Sequence, residues 1–176
     1  MTISEGFASE RLCVVPRPEV ALALTRPVTR RLVVTDAGMF PEARGHGRAR
    51  GHGAREAIVM VCARGAGWVQ VEGRRYGVGA GEAVVLPPGV PHRYGASPAA
   101  PWTLWWCHLR GADLAELLEA TGASVERPVI ALHRPERVIG LIDEVVTALE
   151  GARRPHGSWR RPGRRGACSH RWPPTA

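Results

Sequence analysis

The chain has 176 residues, of which 44% are hydrophobic and 23% are charged, and its formal net charge is +8. This composition fits one packed domain of ordinary size and excludes disorder throughout the chain. No apolar run approaches the roughly 20 residues that cross a bilayer. The first eleven residues hold two glutamates and no apolar core typical of a secretion signal.

The positive charge is concentrated at the C-terminal end. All 24 basic residues are arginine; residues 1–150 hold 17 of them together with all 16 acidic residues. Residues 151–176 hold seven arginines and no acid. The net charge therefore gives little support for nucleic-acid binding by residues 1–150.

The cysteines give no sign of a disulfide scaffold or a zinc ribbon. They are far apart and form no C-x-x-C pair: Cys13, Cys62, Cys107 and Cys168. Such usage is typical of a reducing compartment. We therefore expect a cytoplasmic protein that does not associate with a membrane.

The N-terminal part of the chain carries little regular patterning. Residues 1–30 are interpreted as an arm or leading strand with a short apolar stretch. Residues 31–35 predict a strand that a turn at residues 36–38 closes. Residues 41–53 are rich in glycine, arginine and histidine and predict a loop.

Six short apolar runs follow at spacings of about ten residues, separated by glycine-rich turns. They cover residues 57–62, 67–72, 75–78, 82–87, 92–96 and 102–109. This pattern predicts an antiparallel sandwich or barrel. It leaves no room for the helices that would connect parallel strands.

Two helices are predicted after the last of these runs. Residues 113–120 place three leucines on one side, and Gly122 ends the helix. The second helix begins at Pro135, since proline is favoured in a first turn. It carries an apolar stripe at helical spacing: Val138, Leu141, Ile142, Val145 and Leu149.

The last segment contains no Val, Ile, Leu, Met or Phe. It cannot bury enough apolar surface to offset its ordering entropy, so we expect it to be disordered. A frameshift product and a native basic tail are the two interpretations of its composition. The predicted organisation is an N-terminal arm (1–30), a barrel (31–111), a helical dimerisation segment (112–150) and a disordered basic tail (151–176).

The most specific motif is Gly81-x5-Pro87-x-Gly89-x2-His92. Gly81 permits a tight turn into a strand, the Pro-Pro-Gly turn reverses the chain, and His92 begins the return strand. The motif resembles the second conserved motif of the cupin superfamily, although Ala96 stands where that motif ends in Asn. The resemblance implies a mainly β, cupin-like antiparallel β-barrel (jelly roll) with the histidine at its mouth.

Only part of the first cupin motif is present in this sequence. The residues that match it support an alternative interpretation of the chain. His52 and Glu56 match part of its His-x-His and Glu pattern, while Arg50 occupies the partner position. With His92, or with His46, they would form the metal site of a metal-dependent isomerase, epimerase or dioxygenase. We favour solvated or hydrogen-bonded histidines, and we expect no metal and no cofactor.

Three longer stretches follow one another with consistent gaps: residues 67–76, 87–95 and 101–111. They are similar to the N-terminal effector-binding and dimerisation domain of AraC-type transcriptional regulators, over roughly residues 30–150. The resemblance implies a barrel that holds a small effector, often a sugar or sugar derivative, and helices that pair two protomers. The two helix-turn-helix motifs that bind the operator in that family have no counterpart in this sequence. We therefore expect no specific operator binding by this chain.

Candidate effector contacts follow from strand alternation and from the resemblance. His92 and Tyr94 share one face of a predicted strand, and Trp106 lies on the next strand. The resemblance implies an aromatic contact at Tyr94 and a stacking tryptophan at Trp106. Arg50, just before the barrel, is a candidate for binding hydroxyl or carboxylate groups.

The apolar stripe of the second helix is expected both to pack on the barrel and to form a homodimer. We predict that the chain has no catalytic residues and binds a small, sugar-like effector as the sensor of an AraC-type DNA-binding regulator. DNA would be contacted only through the missing module. The alternative is the metal-dependent cupin enzyme described above.

Overall fold

The computed structural model describes residues 2–152. The disorder predicted for the basic tail therefore lies almost entirely outside the described residues. The strands are β1 (Arg11–Val14), β2 (Val33–Phe40), β3 (Gly47–Arg50), β4 (Ala57–Arg64), β5 (Ala66–Val71), β6 (Arg74–Gly79), β7 (Glu82–Leu86), β8 (His92–Ala96), β9 (Thr103–Arg110) and β10 (Val129–Ala131). The α-helices are α1 (Arg17–Ala23), α2 (Leu114–Ala120) and α3 (Pro135–Ala152).

The strands form two antiparallel sheets that enclose the main core. One sheet has six strands in the order β1-β2-β9-β4-β7-β10, and the other has four in the order β3-β8-β5-β6. The mainly β fold class, with helices after the barrel strands, is confirmed. All six apolar runs are strands, because each buries apolar side chains on at least one face and is bounded by turns.

The hairpin between β5 and β6 shows how local sequence fixes the register. Glu72 and Gly73 both have positive φ, 48° and 79°, which is the conformation of the favoured two-residue hairpin turn. Val71 consequently pairs with Arg74. Val69 and Val71 then face the core together, because alternate residues of a strand share one face.

Two apolar layers lie on opposite faces of the six-stranded sheet. The inner core lies between the two sheets and contains Ile58, Met60, Cys62, Val69, Leu86, Tyr94, Trp102, Leu104 and Trp106, among others. The helix layer lies between the sheet and α3 and consists of Cys13, Ala37, Val61, Ala83, Ile142 and Val146. Helix α3 thus packs on the outside of the sheet through its apolar stripe.

The turn predicted at residues 36–38 is wrong, because β2 runs straight through it. Asp36, Ala37 and Gly38 pair with His108, Cys107 and Trp106 on β9. A strand tolerates the buried aspartate because its carboxylate is fully hydrogen-bonded. Gly38 is required here, since an added Cβ would lie 2.8 Å from the Trp106 ring.

Three elements were not predicted. Strand β3 lies in the predicted loop, α1 lies in the predicted arm, and β10 lies between the two predicted helices. The alternating arginines of β3 hide its strand character, because the face that lines the cavity carries Arg48 and Arg50 in place of apolar side chains. The N-terminal segment also contributes β1 as an edge strand, paired with β2.

Candidate functional site

A cavity lies between the two sheets, at the end where the N-terminal segment crosses the barrel. Its volume is about 50 Å³, well below the 300 Å³ or so that drug-sized ligands occupy. It is lined by Ser4, Glu5, Leu12, Phe40, His46, Arg48, Arg50, Ile58, Met60, Tyr94, Leu104, Trp106 and His108. In this conformation the cavity fits a ligand of only a few heavy atoms.

The N-terminal segment closes one side of this cavity. Ile3 forms a parallel bridge with His46: its amide donates to the Gly45 carbonyl at 2.9 Å, and its carbonyl accepts from the Gly47 amide at 3.0 Å. These bonds place Ser4 and Glu5 in the cavity wall. The segment is held by these two hydrogen bonds and by the contact of the Phe7 ring with Phe40 and His46.

Three buried side-chain nitrogens among residues 2–152 have no hydrogen-bond partner: Arg50 Nη1, His92 Nε2 and Trp106 Nε1. Arg50 and Trp106 both line the cavity. Trp106 is only 7% exposed, so its indole N–H is withdrawn from bulk water as well. Unpaired buried polar groups are costly and are typical of sites that a ligand completes.

His92 lies on the inner face of β8 next to Tyr94, with the two rings stacked at 6.0 Å. Its Nδ1 is 2.8 Å from the Val90 carbonyl oxygen. Because that oxygen can only accept, Nδ1 carries the proton and Nε2 is an acceptor in the neutral ring. Burial lowers the pKa of His92, and the positive charge of Arg50 lowers it further.

His46 is buried within a group of aromatic rings. Trp102 donates its indole N–H to His46 Nδ1 at 3.1 Å, and the Phe40 ring lies edge-on at 5.1 Å. Burial, with Arg48 nearby, lowers the pKa of His46 to about 4. The ring is therefore neutral near pH 7 and forms a polar but uncharged part of the wall.

His108 connects the cavity to the outer edge of the sheet. Its Nδ1 lies 3.4 Å from the Asp36 carboxylate, which also accepts from Thr35 at 2.7 Å and from Arg17 on α1 at 3.0 Å. Burial alone would raise the pKa of Asp36, but the hydrogen bonds from these three side chains outweigh it and lower the pKa. The carboxylate thus holds the His108 ring, which packs against Trp106 at 5.1 Å.

The structure brings three of the four predicted effector contacts into one wall. Arg50, Tyr94 and Trp106 line the cavity, whereas His92 is buried beside Tyr94 without lining it. The assignment of these residues to effector binding stays a prediction. Arg48 was missed because its strand was interpreted as a loop, although its alternation with Arg50 was a usable signal.

The alternative metal ligands His52, Glu56 and His92 do not come together. His52 is exposed in a turn, while His92 is buried in β8. Within residues 2–152, no three His, Cys, Asp or Glu side chains are grouped so that they could hold a metal ion. His46, the further candidate, is engaged by Trp102 at the nitrogen that faces it.

The predicted dimerisation stripe is divided between two environments. Four of its members pack on this chain's own sheet, either buried or half-buried: Val138, Ile142, Val145 and Leu149. Leu141 is 56% exposed at the edge of the stripe. Ile142 is therefore not available to a second protomer, and Leu141 is the member of the stripe that a partner would contact.

None of the helices among the described residues is both long enough and apolar enough to span a bilayer.

Solved structures that resemble the chain include KdgF from Halomonas sp., with 24% identity, a TM-score of 0.36, and coverage of 48% of this chain and 74% of that one. A Cupin 2 conserved barrel domain protein from Salinispora arenicola has 17% identity, a TM-score of 0.40, and coverage of 68% and 90%. Both are loose matches.

The sequence comparisons identify a more specific group of proteins than these structural matches do. The MmsAB operon regulatory protein of Pseudomonas aeruginosa is 38% identical over 100 residues, which are 54% of this chain and 32% of that protein. The chain thus spans about a third of that relative's length. The model of the AraC-like ligand binding domain matches residues 37–158, which include strands β3 to β9 and helix α3. The chain therefore belongs to the AraC-like ligand-binding domain family.

Proposed function

We propose that the cavity binds a small polar effector and releases it unchanged, and that the chain acts as the sensor part of a transcriptional regulator. The observation that carries this proposal is the incomplete wall, in which Arg50 and Trp106 border one cavity with buried N–H groups that lack partners. A bound ligand would complete these hydrogen bonds.

Strand β1 offers a route by which occupancy would reach the outside of the domain. Leu12 lines the cavity, while Arg11 beside it points the other way and donates to Asp143, Thr147 and Glu150 on α3. A ligand that displaces the N-terminal segment or β1 would therefore change how α3 is held. Effector binding and the position of α3 are then linked, and each affects the other.

At the level of the whole regulator, we propose that α3 also contributes to a homodimer through Leu141, and that DNA is contacted outside residues 37–158. Leu141 is exposed at the edge of the face of α3 that packs on the sheet. Light scattering of the purified chain tests the dimer. Leu141→Glu should shift the mass toward the monomer, and Glu144→Gln, an exposed change on the same helix, should not.

The sugar-like effector is a further part of this hypothesis. The Trp106 ring would stack on the apolar C–H face of a sugar, while Arg50 and Tyr94 would contact its hydroxyl groups. Because the closed cavity measures about 50 Å³, a sugar would require the N-terminal segment to move. Removal of residues 2–8 should then increase the association rate for a sugar, as stopped-flow fluorescence would show.

Calorimetry with a panel of sugars, sugar acids and short organic acids tests effector binding. Trp106→Ala should abolish the binding seen with the unaltered chain. Trp105→Ala is the matched control, because Trp105 lies on the same strand but packs in the helix layer. If Trp106→Ala leaves the affinity unchanged, the cavity is not the effector site.

The enzyme alternative requires its own measurement. NMR spectra of the ligand after prolonged incubation should show it chemically unchanged, as expected for a sensor. Elemental analysis of the purified chain adds a second criterion. Stoichiometric iron, manganese, nickel or zinc that is lost in His92→Ala would overturn the sensor proposal in favour of a metal-dependent enzyme.

A further inference from the structure

The chemistry of the unpaired wall atoms limits which ligand fits. Arg50 Nη1 and Trp106 Nε1 can only donate hydrogen bonds, because neither a guanidinium nor an indole nitrogen has a free lone pair. Both side chains line the same cavity of about 50 Å³. A ligand that satisfies both must therefore present acceptor atoms to them.

The charged side chains around the cavity also favour a ligand that presents acceptor atoms. The charged side chains among its lining residues are Arg48, Arg50 and Glu5, and Glu5 belongs to the N-terminal segment that closes the site. His46 adds no charge near neutral pH, since burial lowers its pKa to about 4. The walls formed by the two sheets are thus positive, which favours an anion.

Part of the remaining wall is apolar. Ile58, Met60 and Leu104 line the cavity beside the donors and are almost fully buried. These side chains suit a short hydrocarbon portion and offer nothing to the remaining oxygens of a phosphate or sulfate. One anionic group with two acceptor oxygens, attached to a small apolar body, matches this distribution.

We propose that the ligand is a small organic carboxylate, with its oxygens accepting from Arg50 Nη1 and Trp106 Nε1. This inference rests on the proposed function and narrows its ligand class. Arginine and carboxylate form charge-assisted hydrogen bonds, which are stronger than those between neutral groups. The hydroxyl groups of a neutral polyol can also accept from these donors, but without the charge that strengthens the bond to the guanidinium. Buried His92 Nε2 is an acceptor and does not line the cavity, so it is not a partner for the carboxylate oxygens.

The test is calorimetric titration of the full chain with matched pairs of ligands. Straight-chain carboxylates from acetate to hexanoate are compared with their primary amides, which have the same shape but no charge, and with arabinose and ribose as neutral sugars. We expect at least one carboxylate to bind about tenfold or more tightly than its amide, because the charge-assisted bonds are lost in the amide.

Two substitutions test whether Arg50 causes the tighter binding of the carboxylate. Arg50→Gln should remove the preference for the carboxylate over its amide, and Arg50→Lys should restore part of it through charge alone. Arg93→Gln is the matched control, because Arg93 lies on the neighbouring strand β8 with its side chain exposed. Thermal melting of each variant establishes that it is folded.

The outcomes separate this inference from the proposed function. Suppose that an amide or a neutral sugar binds as tightly as the carboxylates and that Trp106→Ala abolishes this binding. The proposed sensor function is then supported, and the proposal of a carboxylate ligand is wrong. If carboxylates bind but Arg50→Gln keeps the preference, the inference is overturned. If no ligand of any of these classes binds in a Trp106-dependent way, both the inference and the proposed function are wrong.

Discussion

The inner core and the helix layer lie on opposite faces of one sheet, yet their polar atoms are paired to different degrees. In the helix layer, Arg11 bridges β1 to Asp143 and Glu150, and the buried residues are small and aliphatic. In the inner core, Arg50 and Trp106 border a cavity with unpaired N–H groups. A layer whose polar atoms are paired stabilises the fold, whereas a layer with unpaired polar atoms is suited to binding a ligand.

The largest effect is expected in the helix layer. Val146 is fully buried between α3 and the sheet, so Val146→Asp places a charge where no partner is available among the packed aliphatic groups. We expect a loss of about 4 kcal/mol or more in the free energy of unfolding. Urea denaturation measures this loss. Ala148→Asp, an exposed change on the same helix, should cost less than about 1 kcal/mol, and equal losses would contradict the packing of α3.

The second prediction concerns pH and the inner core. The pKa of His46 is lowered from its ordinary value of 6.5 to about 4, so between these values the unfolded chain binds a proton that the folded chain does not. Stability should therefore fall as the pH decreases from about 6.5 toward 4, by up to about 3 kcal/mol. Burial lowers the pKa of His92 as well, which acts in the same direction.

The measurement is urea denaturation at a series of pH values in that window. His46→Gln keeps an acceptor for the Trp102 indole and removes the titrating ring, so its stability should vary much less with pH. His133→Gln, at an exposed histidine, serves as the control and should keep the dependence of the unaltered chain. An unchanged slope in His46→Gln would show that His46 is not the responsible group.

The third prediction compares two tryptophans of the inner core. Trp102 donates to His46, whereas Trp106 Nε1 has no partner. Trp102→Phe should cost about 1 to 2 kcal/mol more than Trp106→Phe, because it leaves the buried His46 Nδ1 without its donor. Thermal and urea denaturation of the two variants would test this difference. A larger loss for Trp106→Phe would mean that its indole nitrogen is already satisfied.

The smallest effect is expected at the edge of the helix layer. Arg11 is 27% exposed and pairs with the more exposed Asp143 and Glu150, so water and salt screen these ion pairs. Arg11→Ala should cost about 1 kcal/mol, and the loss should shrink at high salt. Arg137→Ala, at an exposed arginine of α3, is the matched control. A double-mutant cycle with Glu150→Gln measures the coupling of β1 to α3.

Regular patterns made much of the barrel predictable, whereas irregular and charged segments did not. Strands β4 to β9 follow from short apolar runs between glycine-rich turns, and α3 follows from its apolar stripe. The strand through Asp36 could not be predicted, because the partners that make its burial tolerable are distant in sequence. Strand β3 was missed for a related reason, since its arginines become wall residues only once β8 lies beside them.

The candidate site was predictable where it depends on the alternation of side chains along a strand. Tyr94 and Trp106 were selected because alternation and the family resemblance agreed, and both line the cavity. The contribution of Ser4 and Glu5 was not predictable, because no local pattern indicates that the N-terminal segment returns to bridge His46. The unpaired state of the wall nitrogens is likewise a property of packing and not of sequence.

The most direct test of the incomplete wall is the indole N–H resonance of Trp106 in ¹⁵N-labelled chain during titration with short carboxylates. Each indole signal is assigned by its disappearance in the corresponding Trp→Phe variant. The Trp106 signal should move downfield and become protected from solvent exchange as its N–H gains an acceptor, while the Trp102 signal, already bonded to His46, should barely change. A Trp106 signal that is hydrogen-bonded without ligand, or that stays fixed while a carboxylate binds elsewhere, would contradict this assignment of the cavity.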